Sequence, residues 1–155
     1  MAIKADRQVE STEIGYYINE TASKGVIASV STAGSGVSLD NSANLVTIAA
    51  NSSGNKPVGL LLNEVVNVDL TRFPVNWHKD QVNVGSKVTL MTKGWVVTDK
   101  ITGTPNAQDH AILSSSGTVA AVAPGAAWNE AANPKVGRFR SKKDQNGFAR
   151  LYVDL

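Results

Sequence analysis

The residues of this chain that could do chemistry are two histidines, a run of serines and a few scattered carboxylates. A transition-metal centre needs three or four N, S or O donors held close together. His78 and His110 stand far apart, neither has a second histidine at ligand spacing, and the chain has no cysteine, so no metal site is expected. Asp109, His110 and Ser114–Ser116 supply the residue types of a nucleophilic triad, but the G-x-S-x-G elbow that presents a serine for attack is missing. Gly34-Ser35-Gly36 has neither a G-K-[ST] ending nor a helix signal after it, so it reads as a turn and not a phosphate cradle. Glu10, Glu13, Glu64 and Asp69 form no recognisable acid–base pair. The expectation is a protein that is not an enzyme and carries no cofactor.

Three other constellations suit contact. Arg138, Arg140, Lys142 and Lys143 form the densest charge cluster, expected as a solvated tip between two strands, with an acidic protein surface as the partner it would suit. Only Phe139 is interleaved with those cations, and the net charge of the chain is +2, which argues against nucleic acid. Phe73 and Trp77 flank Pro74 in a segment too polar for a strand; they either plug one end of the core or anchor an interface. Ile14, Tyr16 and Ile18, with Tyr17 among them, make an every-second-residue stripe that places large side chains on one face of an extended segment.

The elements that would position these residues are strands. No stretch of 11 or more residues has apolar positions at helical spacing, and no capping box leads into one. Gly25–Ser31, Val37–Asp40, Leu45–Ala49 and Val58–Leu62 are short apolar runs separated by turn residues such as Asn51-Ser52-Ser53-Gly54-Asn55. Val66, Val68 and Leu70 alternate with polar residues, as do Val82, Val84, Val88 and Leu90. Thr92-Lys93-Gly94 is expected as a tight connection, with Trp95–Thr98 returning as the hairpin partner. Asp144-Gln145-Asn146-Gly147 separates Val136–Arg140 from Phe148–Leu155, in which Ala149, Leu151, Val153 and Leu155 alternate with the outward Phe148, Arg150, Tyr152 and Asp154. The Ala-rich stretch Ala120–Asn133 reads as a long loop.

With 155 residues, 42% of them hydrophobic and 18% charged, the chain has the size of one domain and can bury a core without disulfides. Its apolar stretches are too short to span a bilayer, and MAIKADRQVESTE carries no apolar signal region, so no membrane partner and no signal peptide are expected. The predicted organisation is an extended N-terminal arm over residues 1–24, outside the core, and a single all-β domain of compact barrel type over 25–155. Removing residues 1–20 is expected to leave that domain folded.

Lys56-Pro57-Val58-Gly59-Leu60-Leu61, Asp69-Leu70-Thr71-Arg72-Phe73-Pro74-Val75-Asn76-Trp77 and the run from Gly85 to Thr98 carry a family resemblance. Val136-Gly137-Arg138-Phe139 and Asp144-Gln145-Asn146-Gly147-Phe148-Ala149 complete it. In overall pattern the chain resembles the capsid decoration, or cement, proteins of tailed bacteriophages. The resemblance implies a β-barrel or β-tulip with an N-terminal arm, commonly a homotrimer, made in the host cytoplasm and bound to the outer surface of the virion head. Its partners would be the major capsid protein and its own copies. Ile14, Tyr16, Tyr17, Ile18, Phe73, Trp77, Arg138, Arg140, Lys142 and Lys143 are the contact candidates. The alternative is a tail, baseplate or receptor-binding module, in which Trp77, Trp95 and Trp128 would stack on sugar rings.

Overall fold

The computed structural model describes residues 2–31, 44–64 and 80–155, and among these it is nearly all β. The strands are β1 (Ile3–Ile18), β2 (Ala22–Ser23), β3 (Ile27–Val30), β4 (Leu45–Thr47), β5 (Pro57–Glu64) and β6 (Gln81–Val82). They continue with β7 (Lys87–Thr98), β8 (Ile101–Thr102), β9 (His110–Leu113), β10 (Val119–Val122), β11 (Lys135–Phe139) and β12 (Ala149–Asp154). Ser115–Gly117 forms a single 3-10 turn. Ten strands make one sheet in the order β1-β4-β3-β5-β7-β12-β11-β9-β10-β8, and β2 pairs with β6 separately. β1 is also paired with β7, so β1, β4, β3, β5 and β7 form a circuit of pairings that returns on itself. The expected strands at Val37–Asp40 and around Val66–Leu70 lie outside the described residues.

Burial explains why some runs are continuously apolar and others alternate. In β5, Leu60 and Leu62 belong to one core cluster and Leu61 to a second. In and beside β3, Ile27 faces the first cluster while Val26 and Ala28 face the second. These strands are walls with a core on each side, and a strand buried on both faces needs apolar residues at successive positions. The first core continues through Phe139, Leu151 and Val153, the second through Ile18, Val46 and Val82. β12, with one face wet, alternates instead: Ala149, Leu151 and Val153 are buried and Arg150 and Asp154 exposed.

Three expectations are corrected by the structure. The hairpin at Thr92-Lys93-Gly94 does not form, because β7 runs unbroken from Lys87 to Thr98. Gly94 has φ 136°, and a Cβ there would stand 2.3 Å from the Gln8 carbonyl oxygen. Glycine is present because β1 passes too close for any side chain, with a register shift between Val9 and Ser11 at the same place. The second correction concerns the predicted arm over 1–24, whose described residues 2–24 are built into the fold at both ends, with only the middle of β1 on the surface. β1 pairs along β7 from Ile3 to Tyr17, and Tyr17 and Ile18 pair with Leu45 and Val46 of β4. Ala2, Ile3, Ile18 and Ala22 are all buried. The third is the stretch Ala120–Asn133, whose first residues Ala120–Val122 belong to β10 and pair with β9; the apolar start of that stretch finds a strand to cover.

The last turn is built as its sequence suggests. The Asp144 carboxylate accepts the backbone N–H groups of Asn146 and Phe148, each at 2.9 Å, and Gly147 takes φ 84°. Lys4 donates to the same carboxylate at 2.7 Å and lies 4.5 Å from the Phe148 ring centroid, so the turn is tied to the start of β1. The Lys4 hydrogen bond, followed by those from the backbone, holds the Asp144 carboxyl below its ordinary 3.8. A depressed carboxyl contributes stability above its unfolded value, lost as pH falls through the folded one. An NMR titration should place Asp144 below 3.8, and Lys4→Ala should move it part of the way back. Ile18→Ala should cost about 2–5 kcal/mol in chemical denaturation, as expected for a fully buried aliphatic residue, and removing residues 1–20 should abolish the cooperative transition.

Candidate partner-binding surface

β1 is anchored at both ends and open between them. Its residues from Ala5 to Ile14 are exposed, and among the described residues it pairs over that stretch with β7 alone. Val9 is 39% and Ile14 50% exposed. An edge of this length presents unpaired backbone N–H and C=O groups that another strand can satisfy.

The predicted stripe on β1 is divided by burial. Ile14 lies on the surface, Tyr16 and Tyr17 are half-buried, and Tyr16 packs against the second core cluster. Ile18 is fully buried in that cluster, so its side chain is a core element and not available to a partner. A register shift between Glu13 and Tyr16 interrupts the regular alternation that the sequence pattern assumed. Phe73 and Trp77 lie outside the described residues, as does His78.

The basic cluster is distributed along the end of β11 and the connection to β12. Arg138, Arg140 and Lys142 are exposed. Lys143 is half-buried and donates to the Ile101 carbonyl at 2.9 Å, which fixes it to the turn region and away from a partner. Arg138 faces Tyr152 across β11 and β12, and Tyr152 faces Trp95 across β12 and β7. Trp95 in turn faces Gln8 on β1, and Arg138 faces His110 on β9. One row of polar and aromatic residues therefore crosses five strands on the outer face.

That row is stiffened by guanidinium stacking. Arg150 lies 4.3 Å from the Trp95 ring centroid and pairs with Asp6 at 3.1 Å, while Trp95 Nε1 donates to the Gln8 side chain at 3.1 Å. Arg140 lies 5.0 Å from the Tyr152 centroid. Cation–π contacts at exposed sites are worth about 0.5–1 kcal/mol each, which biases the arginine rotamers toward the rings. Sequence reasoning identified Arg150 and Tyr152 as outward-facing but did not connect them to Trp95, which it placed on a separate hairpin. The connection depends on strand order, which no local pattern encodes.

Asp109 and His110 do not form the pair a triad needs. Asp109 is buried and its carboxylate accepts the Asn106 backbone N–H at 2.8 Å, and the His110 Nδ1 has no hydrogen-bond partner. The aspartate therefore does not orient the imidazole, as a triad requires. The His110 ring instead packs against Trp128 with centroids 5.3 Å apart. Ser115 and Ser116 lie in the 3-10 turn. Among the described residues no three His, Cys, Asp or Glu side chains cluster at metal-binding distances, and no helix is long and apolar enough to cross a membrane.

Because Ile14 is exposed and Ile18 is not, Ile14→Asp should change folding stability by no more than about 0.5 kcal/mol. Thermal melts of the two variants should separate the surface residue from the core residue: Ile18→Asp should fail to fold, and Ile14→Asp should melt with the wild type. No family model matches the chain, and no curated protein matches it.

Proposed function

We propose that this chain is a non-enzymatic structural virion protein that binds the outer surface of a phage head and stabilises the capsid. The observation that carries the reading is the open stretch of β1: ten exposed residues, Ala5 to Ile14, paired on β7 and held between two buried ends. A strand edge already fixed in conformation can add to a neighbouring sheet without the backbone-ordering cost, about 1–2 kcal/mol per residue, that a free arm would bear. The resemblance in sequence pattern to decoration proteins supports the same assignment. The circuit of pairings through β1, β4, β3, β5 and β7 is read here as a small closed barrel, the compact β-barrel or β-tulip of such proteins. A homotrimer is the proposed assembly, since closed symmetry is the rule for soluble oligomers and several copies of one weak contact raise avidity. The major capsid protein is the proposed partner.

A sugar-binding tail module has less support. Stacking a sugar requires an open aromatic face; Arg150 lies over Trp95 and Trp128 packs on His110, and Trp77, the third ring of that reading, lies outside the described residues.

Purified chain should co-sediment with heads of its own phage prepared without it, and sedimentation equilibrium should give three copies per particle in solution. Ile14→Asp, folded but altered on the open edge, should bind heads at least about tenfold more weakly, since it replaces a buried apolar contact worth about 1.5–3 kcal/mol by a charge. Head binding equal to the wild type would remove β1 from the interface, and absence of binding by the wild type would reject the decoration reading.

A further inference from the structure

We propose that the outer face of β11 is a groove for an extended acidic polypeptide segment, read by Lys135, Arg138 and Arg140. The proposal rests on the decoration reading for the identity of the partner and deepens it by naming the partner's chemistry. The groove encloses about 450 Å³ and is lined by these three cations with Gly137, Tyr152 and Asp154.

The backbone is shaped to gather the cations. Strict alternation would put Lys135 and Arg138 on opposite faces of the sheet. Instead both are exposed, with Val136 and Gly137 buried between them, and the register against β9 shifts between Lys135 and Gly137. A β-bulge adds one residue to one strand and re-aims the side chains that follow. Gly137 makes this bulge possible, because a Cβ there would stand 1.9 Å from the Tyr152 carbonyl oxygen. Three positive side chains then share one face where two would have.

Among the described residues those charges are not neutralised by a carboxylate. Lys4 and Arg150 on the neighbouring surface are ion-paired with Asp144 and Asp6. Among the described residues Lys135, Arg138 and Arg140 make neither an ion pair nor a side-chain hydrogen bond. Arg140 is held by Tyr152 alone, which leaves its N–H groups free for carboxylates. Arg138 and Arg140 are two residues apart on an extended backbone, roughly 6.7 Å along it. Carboxylates at alternate positions of a second extended strand repeat at the same spacing, and each guanidinium can take one in a bidentate pair.

A nucleic acid is disfavoured at this site. Single-stranded nucleic acid binds by stacking bases on open aromatic faces, whereas guanidinium groups stack on both Tyr152 and Trp95.

The test uses the full chain and a synthetic peptide of alternating glutamate and threonine, with the glutamine–threonine peptide and oligothymidylate as comparisons, followed by ¹⁵N amide shifts. The glutamate peptide should shift Gly137 to Arg140 and Tyr152, weaken with added salt, and bind at least about tenfold less tightly to R138Q/R140Q. Lys135→Gln, which leaves the bulge intact, should weaken binding by a smaller factor. Equal binding by R138Q/R140Q, tighter binding of oligothymidylate, or shifts at these residues that depend on protein concentration without peptide would each overturn the proposal, the last by showing that a second copy fills the groove. Undiminished head binding by R138Q/R140Q would remove the capsid as this groove's partner and leave the decoration reading standing. Wild-type chain that binds the peptide and no heads would reject the decoration reading itself.

Discussion

The close passage of β1 across Gly94 is the contact on which the other features of this protein depend. β7 is paired with β1 along most of its length on one edge, while its other edge is divided between β5, over Val88 to Met91, and β12, over Lys93 to Thr98. Gly94 sits at the division. A side chain there would push β1 away from Gln8 onward, and the strand would lose its partner on the only edge that carries it through its exposed middle. β7 serves both cores, Val88 and Leu90 packing in one and Met91 and Val96 in the other. One glycine thus lets a single strand serve both halves of the fold.

From that constraint follows the division of labour in β1. Its ends are buried and fix its path, and its middle is pinned to β7 on one edge, so its outward groups are presented in a defined conformation. A flexible arm would order only on binding and would lose much of its contact energy in doing so. The outer face of β7, β12 and β11 is ordered by a different means: guanidinium groups lie over Trp95 and Tyr152, Arg150 pairs with Asp6, and the Trp95 indole N–H donates to Gln8. Both surfaces are arranged before any partner arrives.

Much of the strand content was legible because period-two alternation and turn chemistry are local. The alternation of Ala149, Leu151 and Val153 and the Asp144–Gly147 turn appear in the structure as the sequence suggests, whereas Leu155, past the end of β12, is exposed. Gly94 was misread because a glycine beside Thr92-Lys93 suits a hairpin turn and a close strand crossing equally well, and only the position of Gln8 decides between them. The first 24 residues were misplaced for a related reason: a polar strand looks like an arm until the partner that pairs with it is known. Ile18 belongs to the core because of Val46, Val82 and Leu90, all distant in sequence. Lys135 was not grouped with the basic cluster, because strict alternation places it on the opposite face from Arg138 and the bulge between Lys135 and Gly137 is defined only by pairing with β9.

The central claim is that β1 is a core strand whose open edge is the docking surface. Hydrogen–deuterium exchange, resolved to single amides along Ile3 to Ile18 in the free protein and on decorated heads, addresses it most directly. In the free protein, amides bonded to β7 and those of Tyr17 and Ile18, which donate to the Asn44 and Ser86 carbonyls, should exchange slowly. The outward amides between Ala5 and Ile14 should exchange fast, then become protected on the head. Rapid exchange along all of β1 in the free protein, or no change in the outward amides on binding, would contradict the account.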